Sequence, residues 1–422
     1  MTGPGPAAEG GPPHVVVLHR WRDQHAHYTE YLDHRACRVS YVTTALGRAS
    51  VPAAAAAVSV VAATDALAEV RDAVEAHARR FGPVHRLVAL NEGDLDTAAA
   101  LRGELGLPGQ RPDDLARFRD KLTMVAAVDA AGVRVPAYAD APDAGAVLAF
   151  AGEHGWPVVL KPRRGTASRG VAVLGGPADL DGLFDPAGAA GPGAEPHLVQ
   201  SFVPAPVFHI DGLWTGDRLG PWRASRYVNT CREFTRGAFL GSVEVDDPLL
   251  LATLERFTAE VAAALGADAP WVFHLEAFVG TGPGDGPVPT FLEAGARVGG
   301  AEIPFVWREV HGVDLMAAAA AIQLGRPPAV PAARPGGTAG WLLLPLPVPP
   351  PCRVVGTEGG PPAGEGPYAQ VVPAPGTVIP QVGGYEHVAA RLRFRGASSR
   401  EVEAAIVTTA ASLRVHCEAL AP

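Results

Sequence analysis

Lys161 closes an apolar stretch, Val158-Val-Leu-Lys161, and is followed by a glycine-rich turn, Gly165-Thr-Ala-Ser168-Arg-Gly170. Glycines let backbone N–H groups approach phosphate oxygens, Ser168 adds a hydroxyl donor, and Lys161 supplies a point charge. The lysine precedes the glycines and no helix follows, so this is not a P-loop. Taken alone, the pattern reads equally as an ordinary hairpin turn with solvated arginines. A second feature is a pair of carboxylates, Glu276 and Glu293, each inside an otherwise apolar strand pattern. A buried carboxylate needs a partner. Two adjacent antiparallel strands would aim both at one point, which suits Mg²⁺ with phosphate oxygens and water completing the shell. Two edge-strand glutamates facing water are the bland alternative. Just past Glu293 comes Arg297-Val-Gly299-Gly300. Period-two alternation puts Glu293, Gly295 and Arg297 on one face. A cation there would stabilise charge on a transferring phosphoryl group or a substrate carboxylate, or would simply pair with Glu293.

The elements that must hold these residues follow from periodicity. Residues 14–18 and 85–90 read as strands, and 65–81 has the apolar spacing of a helix. That rhythm predicts a small α/β layer with parallel strands. A helix over 120–131 ends at Gly132. Strands over 157–161 and 171–174 make a hairpin, and further strands are expected over 197–202, 208–214, 271–279 and 290–296. Residues 246–266, 302–311, 314–324 and 398–417 read as helices. Segments 185–196 and 326–337 read as a mobile loop and a linker, and 1–13 as a flexible tail. His25-Ala-His27 with His34 lacks the helical spacing of a metal site and reads as loop histidines. Cys231 has no base in its neighbourhood of sequence, whereas Arg226 before it is a candidate for binding a carboxylate.

Composition narrows the class. The 422 residues are 48 % hydrophobic and 19 % charged, which excludes a disordered chain. The net charge of −9, without a basic run, argues against nucleic acid. No apolar stretch is long enough to span a bilayer, and residues 1–13 lack the features of a signal peptide. The four cysteines lie far apart without a C-x-x-C, which points to a reduced, cytoplasmic protein without structural zinc.

Together and in this order, the motifs resemble those of the ATP-grasp superfamily. The likeness is to its carboxylate–amine ligases, including amino-acid (dipeptide) ligases, and more distantly to biotin carboxylase. The residues carrying it are Asp120-Lys121, Lys161-Pro, Gly165 to Gly170, Gln200-Ser-Phe-Val203-Pro, His209-Ile-Asp211-Gly212, His274-Leu-Glu276 and Phe291-Leu-Glu293-Ala-Gly-Ala-Arg297-Val-Gly-Gly300. Pro375-Gly-Thr-Val and Gly383-Gly-Tyr385 resemble the closing lobe of the same ligases. The resemblance implies an α/β and α+β multidomain chain. A Rossmann-like domain over 14–115 would precede an ATP-grasp domain over 116–325, with a lid near 155–203, and a C-terminal lobe over 326–422. It implies ATP as cosubstrate with Mg²⁺, Mn²⁺ being an alternative metal. Lys121 and Lys161 would bind phosphates, assisted by Gly165, Ser168 and Gly170. Glu276 and Glu293 would bind metal. Arg297, with Lys161, would act in catalysis, and Arg297, Gly299, Gly300 and Arg226 would meet substrate. Gln200, Ser201, Phe202 and Val203 would line the adenine. Relatives often have an acidic ribose contact where Val207 stands, and His209 is a candidate substitute. Relatives also commonly have Glu at Gln200 and Asn at Gly295. The implied reaction joins a small carboxylate, an amino acid, to an amine through an acyl phosphate, releasing ADP and phosphate. Two alternatives use the same site: a nucleotide-binding module without turnover, and acyl transfer to a carrier-protein thiol. A homodimer is compatible with this reading.

Overall fold

A computed structural model describes residues 11–22, 25–166, 168–184, 195–266, 268–282, 284–329, 337–361, 366–381 and 387–421. Parts of the expected tail, mobile loop and linker, and the Gly383-Gly-Tyr385 motif, lie outside the described residues. The chain divides into two compact units, Met1–Leu115 with Met316–Ala329, and Ala116–Leu315 with Val330–Pro422. No helix among the described residues is long and apolar enough to cross a membrane.

The first unit holds a four-stranded parallel sheet of β1 (His14–His19), β2 (Arg38–Thr43), β3 (Ala57–Val60) and β4 (Val84–Ala89), in the order β3-β2-β1-β4. The apolar run of β1 is buried along its whole length, as a central strand covered on both faces must be. Helix Leu67–Phe81 turns Val70 and Val74 into the core. Helix Glu92–Glu104 starts at Asn91, whose side chain accepts from the Gly93 N–H. Residues 314–324, which the sequence grouped with the ATP-binding segment, belong largely to this unit. Gln323 bonds both the N–H and the C=O of Ala89, at 2.8 and 2.7 Å, and so caps the outer edge of β4.

The second unit is antiparallel. A small sheet of β5 (Tyr138–Ala141), β6 (Val158–Pro162), β7 (Ala172–Leu174) and β8 (His197–Ser201) has the order β5-β8-β6-β7. A large sheet is built from β9 (Val207–Trp214), β10 (Leu219–Tyr227), β11 (Leu240–Glu244), β12 (Trp271–Thr281), β13 (Pro287–Gly295) and β14 (Thr338–Leu344). Of the later strands β15 (Cys352–Glu358), β16 (Ala369–Val371), β17 (Val378–Ile379), β18 (Ala390–Gly396) and β19 (Arg414–Ala419), β16 and β18 complete the large sheet. Its order is β13-β12-β9-β10-β11-β14-β18-β16, while β15, β17 and β19 form a three-stranded sheet. β14, β16 and β18 thus extend the large sheet, while β15 and β17 between them belong to the three-stranded one. The helix expected over 398–417 stops at Ser412. Beyond it, Arg414, Val415 and His416 alternate exposed and buried, the pattern of a strand, and pair with β15. Residues 303–311 break into a helical turn and a π-turn at Trp307, which brings His311 within 2.6 Å of Glu244.

Candidate active site

The two carboxylates face each other. β12 and β13 pair antiparallel with Glu276 directly opposite Glu293, and a bulge follows at Leu292, where Ala277 pairs with Phe291. A bulge bends the strand and re-aims its side chains. Glu276 accepts a hydrogen bond from the Tyr227 hydroxyl at 2.8 Å, and His274 Nε2 lies 3.7 Å from the same oxygen. Burial opposes its charge, yet the contacts from His274 and Tyr227 hold its carboxyl below the ordinary range. Glu293 is more open, and its Oε2 lies 3.7 Å from Lys121 Nζ. Oxygen donors alone, from two opposed strands, fit a hard divalent cation such as Mg²⁺.

Lys121 reaches Glu293, and Lys161 lies close enough to both glutamates to feel their charge. Lys121 begins helix Lys121–Ala130, whose cap is Asp120; that carboxylate accepts from Leu122 and Thr123 and also pairs with Arg163 at 2.7 Å. Lys121 Nζ donates to the Gly165 carbonyl at 3.0 Å and so links the glycine-rich turn to the glutamate side. Lys161, on β6, is only 4 % exposed. Burial pushes its ammonium down to about 8; Glu293 and Glu276 oppose that shift and Lys121 reinforces it. The turn itself needs unusual backbone: Ser168 has φ 56° and Gly170 φ 72°. A Cβ at Gly170 would stand 2.8 Å from Pro162.

Behind the glutamates lies a buried polar chain that the sequence did not reveal. Asp211 on β9 accepts from His209 Nδ1 at 2.6 Å and from His274 Nδ1 at 2.8 Å, and His209 Nε2 meets Ser242 Oγ at 2.6 Å. Burial disfavours the Asp211 charge, but the two imidazoles hold its carboxyl far below the ordinary range. Burial likewise disfavours a charged His274, and Asp211 overcomes this to raise it to about 9, against the opposing Arg297. His209, Asp211 and His274 have the spacing of a metal cluster, but their ligand atoms are spent on one another. The loop of Arg297 and Gly299 rests on this group: a Cβ at Gly299 would lie 2.5 Å from Asp211 Oδ1 and 2.9 Å from His274 Nδ1. Next to it is a pocket floored by His209, Asp211, Ser225 and Glu244, with Trp307 and Trp341 among its walls.

Two expected contacts are corrected. His209 has both ring nitrogens engaged inside the sheet and is 2 % exposed, so it does not replace a ribose carboxylate. Arg226 alternates with Ser225 and Tyr227 and points to the other face of β10, where it pairs with Glu403 at 2.6 Å. Its neighbour Tyr227 is the residue that reaches Glu276; the only hint in the sequence was that odd–even alternation. Gln200 is buried in β8 between Tyr138 and Val159 in register. Past it, the Ser201 and Phe202 amides donate to Ala137 and Pro157, and Phe202 is 40 % exposed. Gly300 accepts the Ile303 N–H at the start of the next helical turn.

No protein-family profile matches the chain. Over 272 residues it is 22 % identical to the L-arginine-specific L-amino acid ligase of Bacillus subtilis, a match covering 63 % of this chain and 64 % of that protein, just under two thirds of its length. Among solved structures, the L-amino acid ligase from Bacillus licheniformis superposes with a TM-score of 0.69 at 16 % identity, over 97 % of this chain and 99 % of that one. Biotin carboxylase from Campylobacter jejuni gives 0.65 at 13 % identity, over 96 % and 92 %.

Proposed function

The chain has the ATP-grasp fold, and on that premise we propose that it is an ATP- and Mg²⁺-dependent ligase. It would join a small carboxylate, an amino acid, to an amine through an acyl phosphate, with ADP and inorganic phosphate as products. The observation that carries this reading is the pairing of Glu276 with Glu293 in register, with Lys121 and Lys161 brought to the same pair. We read the first unit as Rossmann-like, on its parallel sheet order.

In this reading Glu276 and Glu293 hold the metal, which supplies charge neutralisation at the phosphates. Lys121, Lys161 and the turn around Ser168 hold the phosphates themselves. The Ser201 and Phe202 amides are already donated, so the adenine edge is left to Val203 and the neighbouring carbonyls. The protein's part is positioning and charge stabilisation. One carboxylate oxygen of the substrate attacks the γ-phosphorus and ADP leaves. The amine then attacks the acyl carbon, phosphate leaves, and the amine gives up a proton. Arg297 would stabilise the negative charge shared by carboxylate and phosphoryl oxygens.

The test is a phosphate-release screen of paired amino acids, with mass detection of the condensed product and chromatography of the spent nucleotide. ADP and phosphate are expected. Hydroxylamine in place of the amine should trap a hydroxamate, and Arg297→Ala should suppress it strongly. AMP and pyrophosphate as products would overturn the acyl-phosphate route.

A further inference from the structure

Among the described residues, Glu276 meets its two polar neighbours on one oxygen, Oε1: the Tyr227 hydroxyl at 2.8 Å and His274 Nε2 at 3.7 Å. This leaves Oε2 as the oxygen to offer a cation. His274 is in turn fixed from behind, its Nδ1 donating to Asp211 Oδ1 at 2.8 Å, and the two residues are direct cross-strand partners on β12 and β9. The second oxygen of Asp211 takes His209, which Ser242 of β11 holds from the far side. Neighbouring rings limit rotation: His209 packs 4.8 Å from Tyr227 and 5.5 Å from His274 between centroids. Asp211 and His209 are each 2 % exposed, and burying a carboxylate this deeply is costly unless each oxygen is bonded. The same carboxylate is also the floor under Gly299, two residues from Arg297.

We propose that Asp211 is a positioning residue for the metal-binding carboxylate: it fixes the ring of His274, and His274 with Tyr227 sets which oxygen Glu276 turns to the cation. The inference rests on the reading of Glu276 as a metal ligand. Asn at position 211 would keep one acceptor and gain a donor, so it cannot accept from both imidazoles. One ring must then turn or take the other tautomer, and either change removes the carboxylate that now holds both imidazoles, under a Gly299 that leaves little slack. Groups that orient a ligand in this way change metal affinity about 10- to 100-fold when removed.

The test uses the full chain with Mn²⁺ as the probe, titrated by electron paramagnetic resonance in the presence of a non-hydrolysable ATP analogue. Asp211→Asn and His274→Gln should each raise the Mn²⁺ half-saturation about 10- to 100-fold. Affinity for the analogue without metal should stay within about twofold of wild type. An Asp211→Asn protein with wild-type Mn²⁺ binding overturns the proposal, provided Glu276→Gln weakens it. If Glu276→Gln itself binds Mn²⁺ normally, the assignment of the metal site fails instead. Equal loss of metal-free nucleotide binding in Asp211→Asn would mark Asp211 as structural only and also overturns the proposal. Should the variants not fold, wild type still decides it. Adding Mg²⁺ to the nucleotide complex should move the His274 ring resonances in a ¹⁵N-histidine spectrum, and unmoved resonances would refute the coupling.

Discussion

At the scale of single residues, the two lysines and two glutamates of the proposed site differ in their surroundings. Burial brings Lys161 down to about 8, so its charge is lost over the alkaline range in the free protein. Bound phosphates favour the charged form, so binding above that pH draws in a proton. Metal-free ATP affinity should therefore fall as pH rises from about 8 to 10, by at most about tenfold per pH unit. Lys161→Arg, permanently charged, should lose this dependence. Calorimetry across the range measures both, and a flat wild-type profile would show that Lys161 is remote from the phosphates. Lys161→Ala should cost ~1.5–3 kcal/mol of ATP binding, the value of a charge-assisted hydrogen bond. Glu293→Gln should abolish turnover while leaving most of the nucleotide affinity, since the metal loses a charged ligand and the adenine contacts remain. Wild-type phosphate release by that variant at saturating Mg²⁺ would exclude Glu293 as a ligand.

Among the elements, the hairpin of β6 and β7 carries the turn proposed to face the phosphates, and the link between Lys121 and the Gly165 carbonyl is its visible tie to the opposite side. The turn takes positive backbone angles at Ser168 and Gly170, and the backbone bonds from Arg169 N–H to Thr166 and from Val171 N–H to Ser168 are long at 3.3 Å. Amide hydrogen exchange in 165–170 should be fast without nucleotide and slow with it. Exchange that is slow from the start and indifferent to ATP would show that the turn is a fixed part of the fold. The large sheet shows the opposite design. Its site residues come from four strands, β9, β10, β12 and β13, locked in register by the pairings at His274–Asp211 and Glu276–His209.

For the whole molecule, the chain leaves the first unit at about residue 115 and returns to it over Met316–Ala329. Gln323 anchors that return, bonding Ala89 twice and accepting from the buried Arg102 at 2.8 Å. Gln323→Ala would leave the β4 edge and the Arg102 guanidinium short of partners. We expect a loss of about 1–3 kcal/mol in the stability of the first unit. Thermal unfolding, followed by a probe in that unit, checks it; an unchanged midpoint would mean that water replaces the amide without cost.

By itself, the sequence determined the identities and the local frame of the chemistry. Lys161 at the end of an apolar strand, the glycine turn after it, and Glu276 and Glu293 in apolar alternation are local patterns, because strand period and turn backbone depend on near neighbours. The parallel layer around β1 was legible for the same reason. Tertiary structure decided which side chains meet. His209 and Arg226 looked available in sequence, but the two-residue period of β9 set His209 beside Asp211, packing gave it Ser242 of β11, and strand parity sent Arg226 to Glu403. Tyr227 and Asp211 gained their places at Glu276 and His274 through pairings across β9, β10 and β12. Contacts of that kind join residues tens of positions apart, and no local periodicity encodes them; they exist only once the sheet has closed and burial has forced each polar atom to find a partner.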